Sequence, residues 1–233
     1  MWEFLDKIIY INLDHRQDRR DIMKKLFEDG KIPEEKVLRF SAIKHEYGII
    51  GTALSHIGVL KLAKEQGYKR VLILEDDMEW VDFETNYAKL EELVSNNTWD
   101  VCMISGLYLK TTPPKINMAL WTNGYIVQSH YYDALINNYE RGVYLKLNQK
   151  LPQTCIVNRK QKLYDMICKD DFHNIDTYWV KLQDKDNWIG VIPKMLKQTA
   201  SWSDITNQNV DHDNSYINIE AAYSLFSKIL SMP

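Results

Sequence analysis

No stretch of about 18 apolar residues occurs in the 233-residue chain, so no membrane span is predicted. Cysteine is scarce. Cys102, Cys155 and Cys168 are odd in number and far apart, which argues against a disulfide framework or a zinc site and reads as reduced thiols. Positive charge is not in excess either. With 29 Lys and Arg against 32 Asp and Glu the net charge is −3, without the basic surface that non-specific nucleic-acid binding needs. There is no internal repeat and no low-complexity linker. Met1 to Asp6 holds two acids and no basic stretch, unlike a secretory leader, so a soluble cytoplasmic protein is expected. What the chain does have is 45% hydrophobic residues, enough for an ordinary core in one large domain or two tightly joined lobes.

The most informative stretch is Lys69-Arg70-Val71-Leu72-Ile73-Leu74-Glu75-Asp76-Asp77. Four consecutive apolar residues suit a strand buried on both faces of a mostly parallel sheet. Three carboxylates at its end repel one another unless something positive sits there. A hard divalent cation carrying a diphosphate meets that need, since Mg²⁺-type ions take one or two carboxylates plus phosphate oxygens. Open α/β sheets also bind ligands beyond the carboxyl ends of their strands. The plain alternative is a strand followed by a solvated acidic turn.

Along the chain, Lys7 to Leu13 reads as a first strand and Asp14 as the cap of a helix over 18–28, stopped by Gly30. A strand is expected over 37–43, a helix over 52–65, the strand at Val71, a helix over 83–94 and a strand over 99–105. The alternation predicts a mainly parallel sheet covered by helices on both faces. Beyond Gly106 the texture changes. Tyr108 to Lys115, with Thr-Thr-Pro-Pro, reads as a turn or loop. A strand over 121–127, a helix over 131–139, a helix beginning at Asp176, a strand over 188–192 and a terminal helix capped near Asp213 follow. Leu145 to Lys162 is polar, lysine-rich and aperiodic.

Several segments then converge in order. They are Ile9-Tyr10-Ile11-Asn12-Leu13 with Arg16 and Arg19, Gly51-Thr52-Ala53-Leu54-Ser55-His56, and Leu72 to Asp77. Thr122-Asn123-Gly124-Tyr125-Ile126-Val127, Asn174-Ile175-Asp176, and Gln198 with Ser203-Asp204-Ile205 come after. The series resembles the family 25 glycosyltransferases, which include lipopolysaccharide and collagen β-galactosyltransferases. It departs from them at Ile50 and Thr52, where the family usually has Glu and Cys, and in the apparent insertion at Leu145 to Lys162. The resemblance implies a single compact GT-A type domain: an α/β, Rossmann-like, mixed but mainly parallel sheet flanked by helices. Residues 1–106 would form its nucleotide-sugar half and 107–233 its acceptor half. It further implies a UDP-sugar donor, a divalent metal (Mn²⁺ or Mg²⁺) and inverting transfer of a hexose, galactose or glucose, to a glycan, lipid-linked saccharide or protein acceptor.

Residue by residue, Asp77 is expected as the direct metal ligand. Asp76 would assist it or contact ribose, and Glu75 would orient the turn, because neighbouring strand residues face opposite ways. Asn12 and Arg19 sit beyond the first strand, where an amide and a guanidinium suit nucleoside and phosphate. Arg16 and Arg20 read as solvated helix charges. Gly51, Ser55 and His56 open a helix whose backbone N–H groups favour a polar ligand. Asp176 is the candidate base that takes the acceptor proton, with a rival role as a helix cap and with Asp170 and Asp171 as rival bases. Gln198, Ser203 and Asp204 lie on a loop expected to fold over the donor, and His212 is a further candidate metal ligand. Trp121, Trp179, Trp188 and Trp202 are candidates for an acceptor groove, with core packing as the alternative. Two other functions stay open on the residues alone. One is a metal-dependent phosphoesterase or nucleotidyltransferase built on the same acidic turn, and the other a non-catalytic nucleotide-sugar-binding relative.

Overall fold

A computed structural model describes residues 1–96, 98–148, 173–205 and 208–210. Cys155, Cys168, Asp170, Asp171, His212, the terminal helix and most of the 145–162 segment lie outside these residues. The strands and helices alternate as β1 (Lys7–Asn12), α1 (Gln17–Asp29), β2 (Val37–Ser41), α2 (Gly48–Glu65), β3 (Arg70–Glu75), β4 (Met78–Trp80) and α3 (Phe83–Val94). Next come β5 (Val101–Met103), β6 (Leu107–Thr112), β7 (Lys115–Leu120), β8 (Gly124–Gln128), α4 (Tyr132–Asn148), α5 (Ile175–Tyr178) and α6 (Val180–Gln183). The last are β9 (Trp188–Gly190), β10 (Leu196–Gln198), β11 (Ser201–Ser203) and β12 (Gln208–Val210).

The central sheet has eight strands in the order β2-β1-β3-β8-β5-β9-β7-β6. β2, β1, β3, β5, β9 and β6 run one way and β8 and β7 oppose them, giving the mixed, mainly parallel sheet that alternation predicts. Strands from before and after Gly106 interleave, since β8 lies between β3 and β5.

Strand periodicity sorts side chains onto two cores. Ile9 and Ile11 of β1, Val71 and Ile73 of β3, and Tyr125 and Val127 of β8 join one core with α2, α4, α5 and α6. Ile8 and Tyr10, Leu72 and Leu74, and Ile126 join the other with α1 and α3. The same alternation sends Asn12 toward α1, and Glu75 toward α2.

Several expectations are corrected. Tyr108 to Lys115 is not a loop. It forms most of the β6–β7 hairpin, turning at Pro113 and Pro114 on the edge of the sheet. α2 begins at Gly48, one turn before Thr52, and α4 runs on to Asn148, well past Tyr139. β2 stops at Ser41, and β8 begins at Gly124, because Trp121 takes a left-handed φ of 69°. Asp14 does not cap α1. Its carboxylate accepts hydrogen bonds from Ser41 Oγ at 2.7 Å and Arg39 at 2.8 Å, and Arg16 fills the N-cap position. The N-cap of α5 is Asn174, which places Asp176 inside the first turn. Trp179 and Trp188 are fully buried core residues packed edge to face, so they line no groove. Among the described residues no helix is long and apolar enough to cross a membrane.

Candidate functional site

β1 and β3 are parallel neighbours, so their carboxyl ends bring Asn12 and Glu75-Asp76-Asp77 to one edge of the sheet. Asp76 and Asp77 are each only 6% exposed. Asp76 has both oxygens engaged: Asn12 Nδ2 donates to one at 2.7 Å and Arg19 Nη1 to the other at 2.6 Å. The same guanidinium nitrogen stands 3.2 Å from Asp77 Oδ2. Among the described residues Asp77 otherwise receives only long hydrogen bonds from Gln198 Nε2, at 3.4 and 3.5 Å. Asp77 therefore keeps the larger spare acceptor capacity of the pair.

Among the described residues the charge balance is incomplete. Burial pushes the Asp77 carboxyl up, and Glu75 and Asp76 push it further, so that despite Arg19 and Gln198 it reaches about 7. Glu75 behaves oppositely. Burial pushes it up as well, but the His56 imidazole, the Thr122 hydroxyl and Arg19 favour its charged form and the net shift is downward. Arg19 is held above its ordinary value because the two aspartates outweigh the cost of its burial.

Gln198 reaches the turn because β10 pairs antiparallel with β4, directly after the aspartates. Thr199 reinforces the join, donating from its backbone N–H to Asp77 O at 2.7 Å and from its hydroxyl at 3.2 Å. The β11–β12 segment is tied on by α1. Arg19 Nη2 donates to Trp202 O at 2.8 Å and to Ser201 Oγ at 3.1 Å. Arg16 binds the Asp204 carboxylate, the Trp202 carbonyl at 3.2 Å and Asp18 at 2.7 and 2.9 Å. Arg16 is thus a buried clamp and not a solvated charge, a role that rests on partners 186 and 188 positions away and leaves no local signal. Asp204 is consumed in that clamp.

Between the carboxyl end of β1 and the start of α2 lies a cavity of about 270 Å³, lined by Leu13, His15, Ile43, Thr52, Asp204 and Ile205 among others. Its wall explains two glycines. A Cβ on Gly48 would meet Ile205 Cα at 3.1 Å, and one on Gly51 would meet Ile43 O at 2.6 Å. The N–H of Gly51 donates to Tyr47 O at 3.1 Å, so it offers nothing to an anion. Ser55 Oγ is likewise spent, donating to Gly51 O at 2.7 Å and accepting from Ile43 N at 2.8 Å. Both residues hold the 43–45 loop against α2 and so shape the cavity wall. Gly51→Ala gains about 1 kcal/mol of helix propensity but drives a methyl into a backbone carbonyl, an overpacking cost of about 1–3 kcal/mol. We expect a net loss, read as a lower melting temperature. An unchanged or higher value would show that the loop simply moves away.

His56 is fully buried and turned to Glu75 instead of open solvent. Asp176 lies on α5 on this same side of the sheet, close enough to raise the Tyr139 hydroxyl, although burial is the larger cause of that shift. The structure thus gathers Asn12, Arg19, Glu75, Asp76, Asp77 and Gln198 in one cluster. Ser203 and Asp204 lie on the segment that α1 holds beside it.

Whether these residues fit a divalent cation is a question of donors. Among the described residues no group of three His, Cys, Asp or Glu side chains could hold a metal ion. An aspartate pair fits a Mg²⁺-type ion whose other ligands are diphosphate and water oxygens, provided Arg19 gives way.

No protein-family profile matches the chain. It is 34% identical over 111 residues to a protein of Acanthamoeba polyphaga mimivirus named as a glycosyltransferase, covering 38% of this chain and 34% of that one. It is 23% identical over 188 residues to procollagen galactosyltransferase 1-B of Xenopus laevis, covering 63% of this chain and 30% of that one. Among solved structures, a glycosyltransferase involved in glycosylation of the PBCV-1 major capsid superposes with a TM-score of 0.47 at 9% identity, covering 79% of this chain and 80% of that one. The chain thus spans about a third of the length of the curated glycosyltransferases it is similar to.

Proposed function

We propose that the protein transfers a hexose from a UDP-sugar to an acceptor hydroxyl, with the acidic turn as its diphosphate site. One observation carries this reading: among the described residues a buried pair of aspartates at the carboxyl end of β3 is matched by a single guanidinium, and Asp77 is pushed up to about 7. Such a pair calls for further positive charge, which a diphosphate-bound cation brings. The similarity to proteins named as glycosyltransferases supports the same choice. The family 25 resemblance favours galactose or glucose.

In this reading Asp77, with Asp76 beside it, holds Mn²⁺ or Mg²⁺, which when bound offsets charge on the departing diphosphate. Asp76 is kept oriented by Asn12 and Arg19. The cavity between the ends of β1 and β2 and the start of α2 takes the nucleoside, roofed by Ile205. Asp176 takes the proton of the acceptor hydroxyl as its oxygen bonds to the anomeric carbon and the bond to the diphosphate breaks.

The test is nucleotide release from a panel of UDP- and GDP-sugars, with and without Mn²⁺. Slow, metal-dependent UDP release from one hexose donor is the expected outcome. Release of inorganic phosphate instead would favour a phosphoesterase. Tight UDP binding without turnover in the presence of acceptor sugars would favour a non-catalytic relative.

A further inference from the structure

Glu75 stands apart from the two aspartates. It faces the α2 side of β3 with Val71 and Ile73, and its side chain is 25% exposed, against 9% for Asp76 and 8% for Asp77. One oxygen, Oε1, accepts a hydrogen bond from Thr122 Oγ1 at 3.1 Å and lies 3.6 Å from His56 Nε2. The second separation is longer than a hydrogen bond.

Behind Glu75 the polar groups are fixed. The His56 ring stacks on Tyr125 and pairs its Nδ1 with Tyr125 Oη at 3.1 Å. Tyr125 in turn meets Tyr139 Oη at 3.5 Å. Among the described residues His56 Nε2 is buried with no hydrogen-bond partner, and so is Asn123 Oδ1, on the residue whose carbonyl receives the Glu75 N–H. Buried polar atoms are seldom left without partners, and those that are call for an explanation. Here one of them, His56 Nε2, backs a partly open carboxylate one residue from the aspartate pair.

We propose that Glu75 is the hexose-recognition residue, a role resting on the nucleotide-sugar reading above. A carboxylate is an acceptor only, and a sugar presents hydroxyl donors to it. Glu75, braced by Thr122 and backed by His56, accepts hydrogen bonds from hydroxyls of the sugar that the diphosphate carries. A site built on buried acceptors discriminates strongly against an analogue lacking the matching hydroxyl.

Calorimetric titration with UDP, UDP-galactose and UDP-glucose in the presence of Mn²⁺ tests this on wild type, Glu75→Gln and Thr122→Val. Wild type is expected to bind one UDP-hexose more tightly than UDP. Glu75→Gln should lose about tenfold to hundredfold of affinity for that donor while holding UDP within about threefold. Thr122→Val, which keeps the charge and the volume, should shift the same way by less. Equal weakening of UDP and UDP-hexose, or an intact preference for the hexose, would each overturn the assignment. Failure of wild type to bind UDP at all would instead sink the reading on which it rests.

Discussion

Asp77→Asn should yield a protein that is more stable than wild type and nearly inactive. The Asp77 carboxyl is raised from 3.8 to about 7, chiefly by burial. Between those two values the folded chain holds a proton that the unfolded chain has released. The stability contributed by this group is therefore greatest below about pH 4 and falls as pH rises toward 7. A difference of that size corresponds to about 4 kcal/mol at most once the carboxylate is ionised in both states. An uncharged isostere escapes the penalty. At pH 8 without metal, Asp77→Asn should gain about 2–4 kcal/mol, or about 5–15 °C in melting temperature. Toward pH 4 the gain should vanish. Sugar transfer should fall by about 10²- to 10³-fold, as when a group that stabilises developing charge is removed. Binding of Mn²⁺ by wild type should strengthen as pH climbs through about 7, because the ligand must be ionised. A variant that melts no higher than wild type at pH 8 would refute the account of a charge-frustrated turn.

Arg19→Gln should do the reverse. The guanidinium is the shared cation of Asp76 and Asp77 and also ties the Trp202 carbonyl to α1. Breaking a buried ion cluster by deleting one partner costs about 3–5 kcal/mol, because the remaining charges stay behind unbalanced. A melting temperature lower by about 6–20 °C is expected. The same loss should make the variant hungrier for cations: millimolar Mn²⁺ should raise its melting temperature by more than it raises that of wild type. Pairing Arg19→Gln with Asp77→Asn should recover much of the loss, giving a coupling energy of about 0.5–3 kcal/mol between the sites. If the two changes simply add, or if Mn²⁺ stabilises wild type more than Arg19→Gln, Arg19 is not standing where the cation goes.

The site was legible from sequence where local pattern and position coincide. An apolar run ending in Glu75-Asp76-Asp77 announces a buried strand and a carboxylate edge, and Asn12 ends another strand in the same orientation. What could not be read depends on distant pairings. Nothing near Arg16 shows that it will be buried against Asp204, since that partner arrives in the turn after β11, 188 residues later. Ser55 reads as ligand-facing because the segment Gly51 to His56 is expected to open a helix. The helix in fact begins a turn earlier, which moves Gly51 and Ser55 from the tip to the flank. Thr122 and Asn123 stood in plain view in Thr-Asn-Gly-Tyr, yet their role follows from β8 lying antiparallel to β3, which local composition does not encode. The proline pair at 113 and 114 was taken for a loop because prolines interrupt strands. On the outer hairpin of the sheet they only turn the chain.

The junction of β4 with β10 has a bearing on the order of events as the chain is made. The acidic turn leaves the ribosome more than a hundred residues ahead of Gln198 and Thr199, which fasten it. Until synthesis passes about residue 205, the nascent sheet carries its carboxylates without that clasp and without the segment that Arg16 and Arg19 grip. A chain interrupted shortly before this point would keep β1, β3 and β8 yet hold no finished site. Completion of the acidic cluster is thus deferred to the last stretch of the described chain.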